Sequence, residues 1–275
     1  MDQTHYTPRP LPAHGKASIV RWATDPVGRA VVFVHGFGGE AQGTWDQFAT
    51  LLPLQPEARG RDLFFFGYDS LAQQAPISAA EFRDFLVDLW TDPVATLIQP
   101  SLQDARRADP AFRYHHVTLV AHSLGAIVVR EALVQAALED PPHDWVHHVA
   151  LVLFAPAHTG ARATELGKEF LGVLPGPFQA ALKGGTHAAI PVLMDLEPGS
   201  ETLKALAAGT QDLLNKGYTS LRAKVVVMGT RDQVVHSVRF CDDPGPRRAV
   251  GLGHIGVCKP DQRYTAPLGY LLSHI

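Results

Sequence analysis

Apolar residues along this chain fall into two recurring patterns. The first is the short uninterrupted run, too short for a helix and rich in β-branched residues, as expected of strands buried on both faces. Ala30-Val31-Val32-Phe33-Val34, Leu63-Phe64-Phe65-Phe66, Val149 to Phe154 and Lys224-Val225-Val226-Val227-Met228 are of this kind, and five mostly β-favouring residues ahead of Ser123 belong with them. Ala17 to Trp22 predicts a shorter strand before the turn signals Asp25-Pro26 and Gly28, and Ala249-Val250 a short final one. The second pattern has helical spacing. It covers Thr44 to Leu52, then Phe82, Phe85, Leu86, Leu89 and Trp90 up to the interrupting Pro93, then about Leu124 to Ala137, and finally Tyr264 to His274. Strands alternating with helices predict an α/β fold, with a mostly parallel central sheet and helices on both faces. Ligands of such sheets sit outside the carboxyl ends of the strands, which is where chemistry is expected.

Pro156 to Ser220 breaks the alternation, because it holds no strand-like run. Leu203, Leu206, Ala207, Leu213 and Leu214 form one helical stripe, opened by Ser200 as an N-cap and closed by Lys216-Gly217. Thr164 to Leu174 is a second helical candidate. An insertion of this size between two strands predicts a helical cap over the strand ends, residues 156–220 of a single domain spanning 1–275. The stretch between Asp232 and His254 leaves little room for a full helix between the last strands.

Composition narrows the class. Of the 275 residues 46% are hydrophobic, which suits a globular domain, and no apolar run approaches the ~18 residues a membrane helix needs. A net charge of −3 without any Lys/Arg block argues against a nucleic-acid surface. Met1 to Pro12 is polar and proline-containing, with no apolar signal core, so a cytoplasmic location is expected. Cys241 and Cys258 make no disulfide framework and read as free thiols. Among 14 histidines, His143 and His147 have helical spacing and His115-His116 and His147-His148 are adjacent. No cysteine or carboxylate completes a ligand set, so neither a metal nor another cofactor is expected.

One stretch organises the rest. In the stretch from His116 to Ala126, five mostly β-favouring residues run straight into Ser123, and a helical pattern begins at Leu124. A serine at such a turn is pushed out of the sheet with its hydroxyl exposed, which requires small residues two positions away on each side. Gly125 and Ala121 supply them, Ala121 standing where the Gly-x-Ser-x-Gly pattern has its first glycine. After the first apolar strand, His35-Gly36-Phe37-Gly38-Gly39 lets the backbone turn sharply and present bare N–H groups. That loop lacks the Gly-Lys-Ser/Thr ending of a phosphate cradle.

In VVFVHGFGG at 31–39, FFFGYDS at 64–70, VTLVAHSLGA at 117–126, LFAPAHTGA at 153–161, GTRDQVV at 229–235 and GHIGVCKP at 253–260, the sequence resembles the α/β-hydrolases, and within them lipase-like serine esterases. DLEPGS at 195–200 is a weaker match in the insertion. The resemblance implies Ser123 as nucleophile, His254 as its base and Asp232 as the group that orients the base, in the chain order Ser, Asp, His of that superfamily. His274 is the second choice of base. His236 lies too close to Asp232, and Asp242 or Asp243 is the fallback acid. The resemblance also implies an oxyanion hole from the backbone N–H groups of Phe37 and Leu124, with His35 supporting the glycine loop and His122 a wall or packing residue. Leu203, Leu206, Leu213 and Leu214 are then candidates for an acyl pocket, or for anchoring the cap. The implied activity is hydrolysis of a small carboxylic ester with an apolar acyl group. A thioester, acyl transfer to an alcohol, or a catalytically silent binding fold are the alternatives.

Overall fold

All the uninterrupted apolar runs lie in one sheet in the computed structural model, which describes residues 7–10, 18–23, 25–97, 109–170, 176–183, 190–236 and 238–275. The strands are β1 (Thr7–Pro10), β2 (Ile19–Trp22), β3 (Arg29–Val34), β4 (Asp62–Phe66), β5 (His116–His122), β6 (Val149–Phe154), β7 (Val225–Gly229) and β8 (Arg247–Ala249), in the order β1-β2-β4-β3-β5-β6-β7-β8. From β4 across to β8 every neighbouring pair is parallel, whereas β1 and β2 are added antiparallel at one edge. The central strands β4, β6 and β7 are buried at every position, the burial their apolar runs imply. β2 alternates half-buried and buried residues, as a strand near an edge does. The sequence reading had no strand at β1. Its prolines, Pro8 and Pro10, mask the signal and are tolerated because the strand closes the sheet edge.

The chain leaves β3 for β4 on one side and returns to β5 on the other. Strand order therefore reverses at β3, and the loops after β3 and β5 meet at the resulting crevice.

The helices are α1 (Phe48–Leu51), α2 (Ala75–Thr91), α3 (Pro93–Thr96), α4 (Leu124–Leu138), α5 (Ala163–Phe170), α6 (Gly176–Lys183), α7 (Pro191–Asp195), α8 (Glu201–Asn215) and α9 (Ala266–Leu272). The helix expected over Thr44 to Leu52 is broken into the 3-10 turns Gly43–Trp45 and Leu52–Leu54 flanking α1, because Asp46 takes a left-handed backbone (φ 47°) between Trp45 and Phe48. Between β7 and β8 the described residues form no helix.

Two destinations are open to the leucine stripe of the insertion, an acyl pocket or the body of the domain. α8 is capped by Ser200, whose hydroxyl accepts the Leu203 N–H at 3.3 Å. Its leucine stripe, however, joins the main core. Leu203, Leu206, Leu213 and Leu214 are all buried there, and α8 lies against α4, with Gly209 close to Val134. α4 is buried along nearly its whole length between α2, α8 and the sheet. Asp195, just ahead of α8, ties the insertion to the body by accepting the Ala75 N–H at the start of α2 at 2.8 Å. Among the described residues no helix is long and apolar enough to cross a membrane.

Candidate active site

Ser123 stands between β5 and α4 with φ 54° and ψ −121°, a left-handed conformation that costs a non-glycine residue ~1–3 kcal/mol. Its surroundings enforce that conformation. The Ser123 N–H donates to the Phe154 carbonyl at 3.1 Å, and its carbonyl accepts from Ala126 and Ala157 at 3.1 and 3.2 Å. Gly125 passes so close to the carbonyls of Val34 and His35 that a side chain there would collide with backbone. At Gly36 a Cβ would lie 2.8 Å from the Ser123 Cβ. The small residues around the elbow are thus required by the contact between the β3 and β5 ends.

The Ser123 hydroxyl is 2.9 Å from His254 Nε2, and His254 Nδ1 is 2.9 Å from Asp232 Oδ2. With the proton on Nδ1, the imidazole donates to the carboxylate and accepts from the serine. The other oxygen, Asp232 Oδ1, accepts the N–H groups of Val234 and Val235 at 2.9 and 3.2 Å. Burial pushes the Asp232 carboxyl up, but the hydrogen bond and charge of His254 and the two backbone donors outweigh it and hold the group below the usual carboxylate range. The loop carrying Asp232 is clamped to the chain leaving β6, where Arg162 N–H donates to the Val234 carbonyl at 2.8 Å.

The N–H groups of Phe37 and Leu124 donate to no other described residue. His35 fixes the glycine loop that carries Phe37, as a neutral imidazole. Nδ1 donates to the Gly36 carbonyl at 2.9 Å, Nε2 accepts the Tyr68 N–H at 3.4 Å, and the ring stacks on Tyr68. Burial lowers its pKa to about 4. Gly38 N–H is anchored on Ser70 Oγ at 3.1 Å.

His122 is more than a wall. Its Nε2–H donates to the His254 carbonyl at 2.9 Å, with the two rings 4.9 Å apart. Burial first, and the neighbouring His254 second, lower its pKa to about 3, so it stays neutral. Sequence inspection could not find this contact, since nothing at position 122 signals a partner at 254.

The other candidates lie elsewhere. Asp243 is buried against Arg130, 2.7 Å away, and Asp242 pairs with Arg222 at the surface. His236 and His274 offer carbonyls to Thr159 and Thr118. His143 pairs with Glu139, and among the described residues no group of three or more His, Cys, Asp or Glu side chains could hold a metal. Cys241 and Cys258 are both free.

A cavity of about 310 Å³ opens over the glycine loop, bounded by Phe37, His122, Phe170, Ile255 and Lys259 among others. Phe170, at the end of α5, meets the Phe37 ring edge-on at 5.8 Å. None of the four expected leucines lines this cavity. Among the described residues of the insertion, Glu169 and Phe170 of α5 reach it.

Residues 31–258 match the family described as "Alpha/beta hydrolase family". No curated protein sequence matches the chain. Among solved structures, Bacillus licheniformis lipase BlEst2 in mature form is similar at 14% identity, with 99% of each chain covered and a TM-score of 0.54. The 2-hydroxy-6-oxo-6-phenylhexa-2,4-dienoate hydrolase of a Rhodococcus species is similar at 15% identity, with 98% of each chain covered and a TM-score of 0.58. MGS-MChE2, an alpha/beta hydrolase enzyme from the metagenome of lagoon sediments at Mar Chica, Morocco, aligns at 15% identity over 96% of this chain and 98% of its own, with a TM-score of 0.54.

Proposed function

Because the chain belongs to the alpha/beta hydrolase family, we propose that it is a serine hydrolase that cleaves carboxylic esters through an acyl-enzyme on Ser123. The observation that carries this reading is the unbroken relay Asp232–His254–Ser123, two hydrogen bonds of 2.9 Å, beside two unspent backbone N–H groups.

Each step follows from a position in that relay. Ser123 Oγ attacks the ester carbonyl while His254 Nε2 takes its proton, since a serine hydroxyl is almost un-ionised at neutral pH. Asp232, held ionised by His254 and by the N–H groups of Val234 and Val235, fixes the tautomer and stabilises the imidazolium that forms. The carbonyl oxygen becomes an oxyanion and takes the N–H groups of Phe37 and Leu124, each such donor being worth ~3 kcal/mol in the transition state. His254 returns the proton to the leaving alcohol, leaving an acyl-serine. Water, deprotonated by the same imidazole, then releases the acid.

The test is covalent labelling beside turnover. An active-site fluorophosphonate is expected to modify Ser123 and no other residue, and 4-nitrophenyl butyrate to be hydrolysed. Ser123→Ala should lose both. Labelling at another residue, or full turnover in the alanine variant, would defeat the reading.

A further inference from the structure

The cavity over the glycine loop holds more charge than an alkyl chain would need. Among the described residues, three ionisable side chains besides His122 reach it: Glu40, Glu169 and Lys259. They are not equivalent. Both glutamates are exposed, so water satisfies their carboxylates at the mouth. Lys259 is half-buried, and among the described residues its ammonium has neither an ion pair nor a hydrogen-bond acceptor. An ammonium that lines a cavity without a partner is free to pair with an anionic group bound there.

Its place in the chain puts that charge next to the loop that carries His254. Lys259 follows the 3-10 turn Gly256–Cys258, directly after the loop that carries His254, and its N–H is tied to the Gly256 carbonyl at 3.2 Å. Its charge is felt at His122, the residue preceding Ser123. Among the described residues, the bulky apolar side chains that line the cavity with it are Phe37, Phe170 and Ile255, enough for a short hydrocarbon segment.

Resting on the ester-hydrolase reading, we infer that the site takes short esters bearing an anionic group, such as a carboxylate, which Lys259 binds while Phe37 and Phe170 cover the carbons between that group and the scissile carbonyl. Lys259 is then the residue that sets substrate charge preference. Glu40 and Glu169 at the mouth disfavour an anion left outside and do not compete for the ammonium within.

The experiment compares matched esters that differ in charge. On the acyl side the pair is the 4-nitrophenyl monoester of glutaric acid and 4-nitrophenyl pentanoate. On the alcohol side it is the butyrate esters of 4-hydroxybenzoate and of its methyl ester. In at least one pair, the anionic-to-neutral ratio of kcat/KM should fall about tenfold or more from wild type to Lys259→Met, the effect of losing one charge-assisted hydrogen bond. It should fall further in Lys259→Glu, and in the wild type it should shrink as salt is raised. The responding pair identifies the side of the ester that carries the charge. A ratio unchanged in both variants for both pairs would overturn the inference while leaving the hydrolase reading intact. Absence of ester turnover together with absence of fluorophosphonate labelling would remove the hydrolase reading and this inference with it.

Discussion

Two buried acid–base pairs flank helix α4, one at its start and one halfway along. In the first, His254 and Asp232 lie 2.9 Å apart with side chains 0% and 2% exposed. In the second, Arg130 and Asp243 lie 2.7 Å apart with side chains 0% and 3% exposed. By distance and burial they are the same object. Each also has a neutral histidine beside it, His122 at the first and His158, stacked on Phe240, at the second. What separates them is their other contacts. Arg130 never gives up its proton, donates to the Leu221 carbonyl and sits over the Phe240 ring at 4.8 Å, while Asp243 takes the Ala223 N–H at 2.8 Å. That pair is held by a backbone carbonyl, a backbone N–H and a ring, with Arg130 Nε left unpartnered among the described residues. His254 can exchange a proton, and its second nitrogen faces a serine held in a strained turn beside N–H groups with no acceptor among the described residues. A buried ion pair is therefore not a sign of a site. A transferable proton, a nucleophile and unspent donors beside it are.

The largest expected difference between the pairs is in turnover. Asp232→Asn should leave the fold intact and cut ester kcat by up to ~10⁴-fold, because the amide favours the wrong imidazole tautomer. Circular dichroism and single-substrate kinetics on the same sample check both halves. Near-normal turnover would erase the distinction drawn here and return Asp232 to a structural role.

Asp243→Ala should do the reverse. Removing one member of a fully buried pair leaves Arg130 charged and unpaired, at a cost of ~3–5 kcal/mol of stability, while kcat per folded molecule is retained. Urea unfolding followed beside active-site titration measures the two effects. A variant as stable as wild type but inactive would place Asp243 in the chemistry.

Acid should act on both pairs through their histidine neighbours. His122 is lowered from 6.5 to about 3, first by burial and then by His254. His158 is lowered well below 6.5, first by burial and then by Arg130. In each case the unfolded chain binds a proton that the native protein does not, so stability rises with pH across this range and falls on acidification below ~6.5. His122 alone should contribute a loss of ~2 kcal/mol between pH 7 and pH 5, approaching its full extent only near pH 3. Unfolding free energies measured in urea at pH 7 and 5 should converge when His122→Gln or His158→Gln is introduced. Equal pH slopes in wild type and both variants would show that neither histidine is held neutral.

What the sequence determined by itself is local. Runs such as Val149 to Phe154 commit their residues to a doubly buried strand whichever neighbours they find, and the spacing Ala121, Ser123, Gly125 specifies a tight elbow because its demands are steric and span five residues. The order of matched segments pointed to Asp232 and His254 ahead of Asp242, Asp243, His236 and His274. Their convergence on Ser123, though, depends on β6, β7 and β8 lying side by side. Tertiary structure alone decided the rest. The leucines of α8 were legible as a buried stripe but not as cover for α4, since a hydrophobic pattern records that a face leaves water without recording what meets it. Phe170 and Lys259 carry no local signature, and β1 is hidden by its prolines. Which residues meet at the crevice after β3 is set by strand order, and strand order is fixed by contacts between segments far apart in the chain.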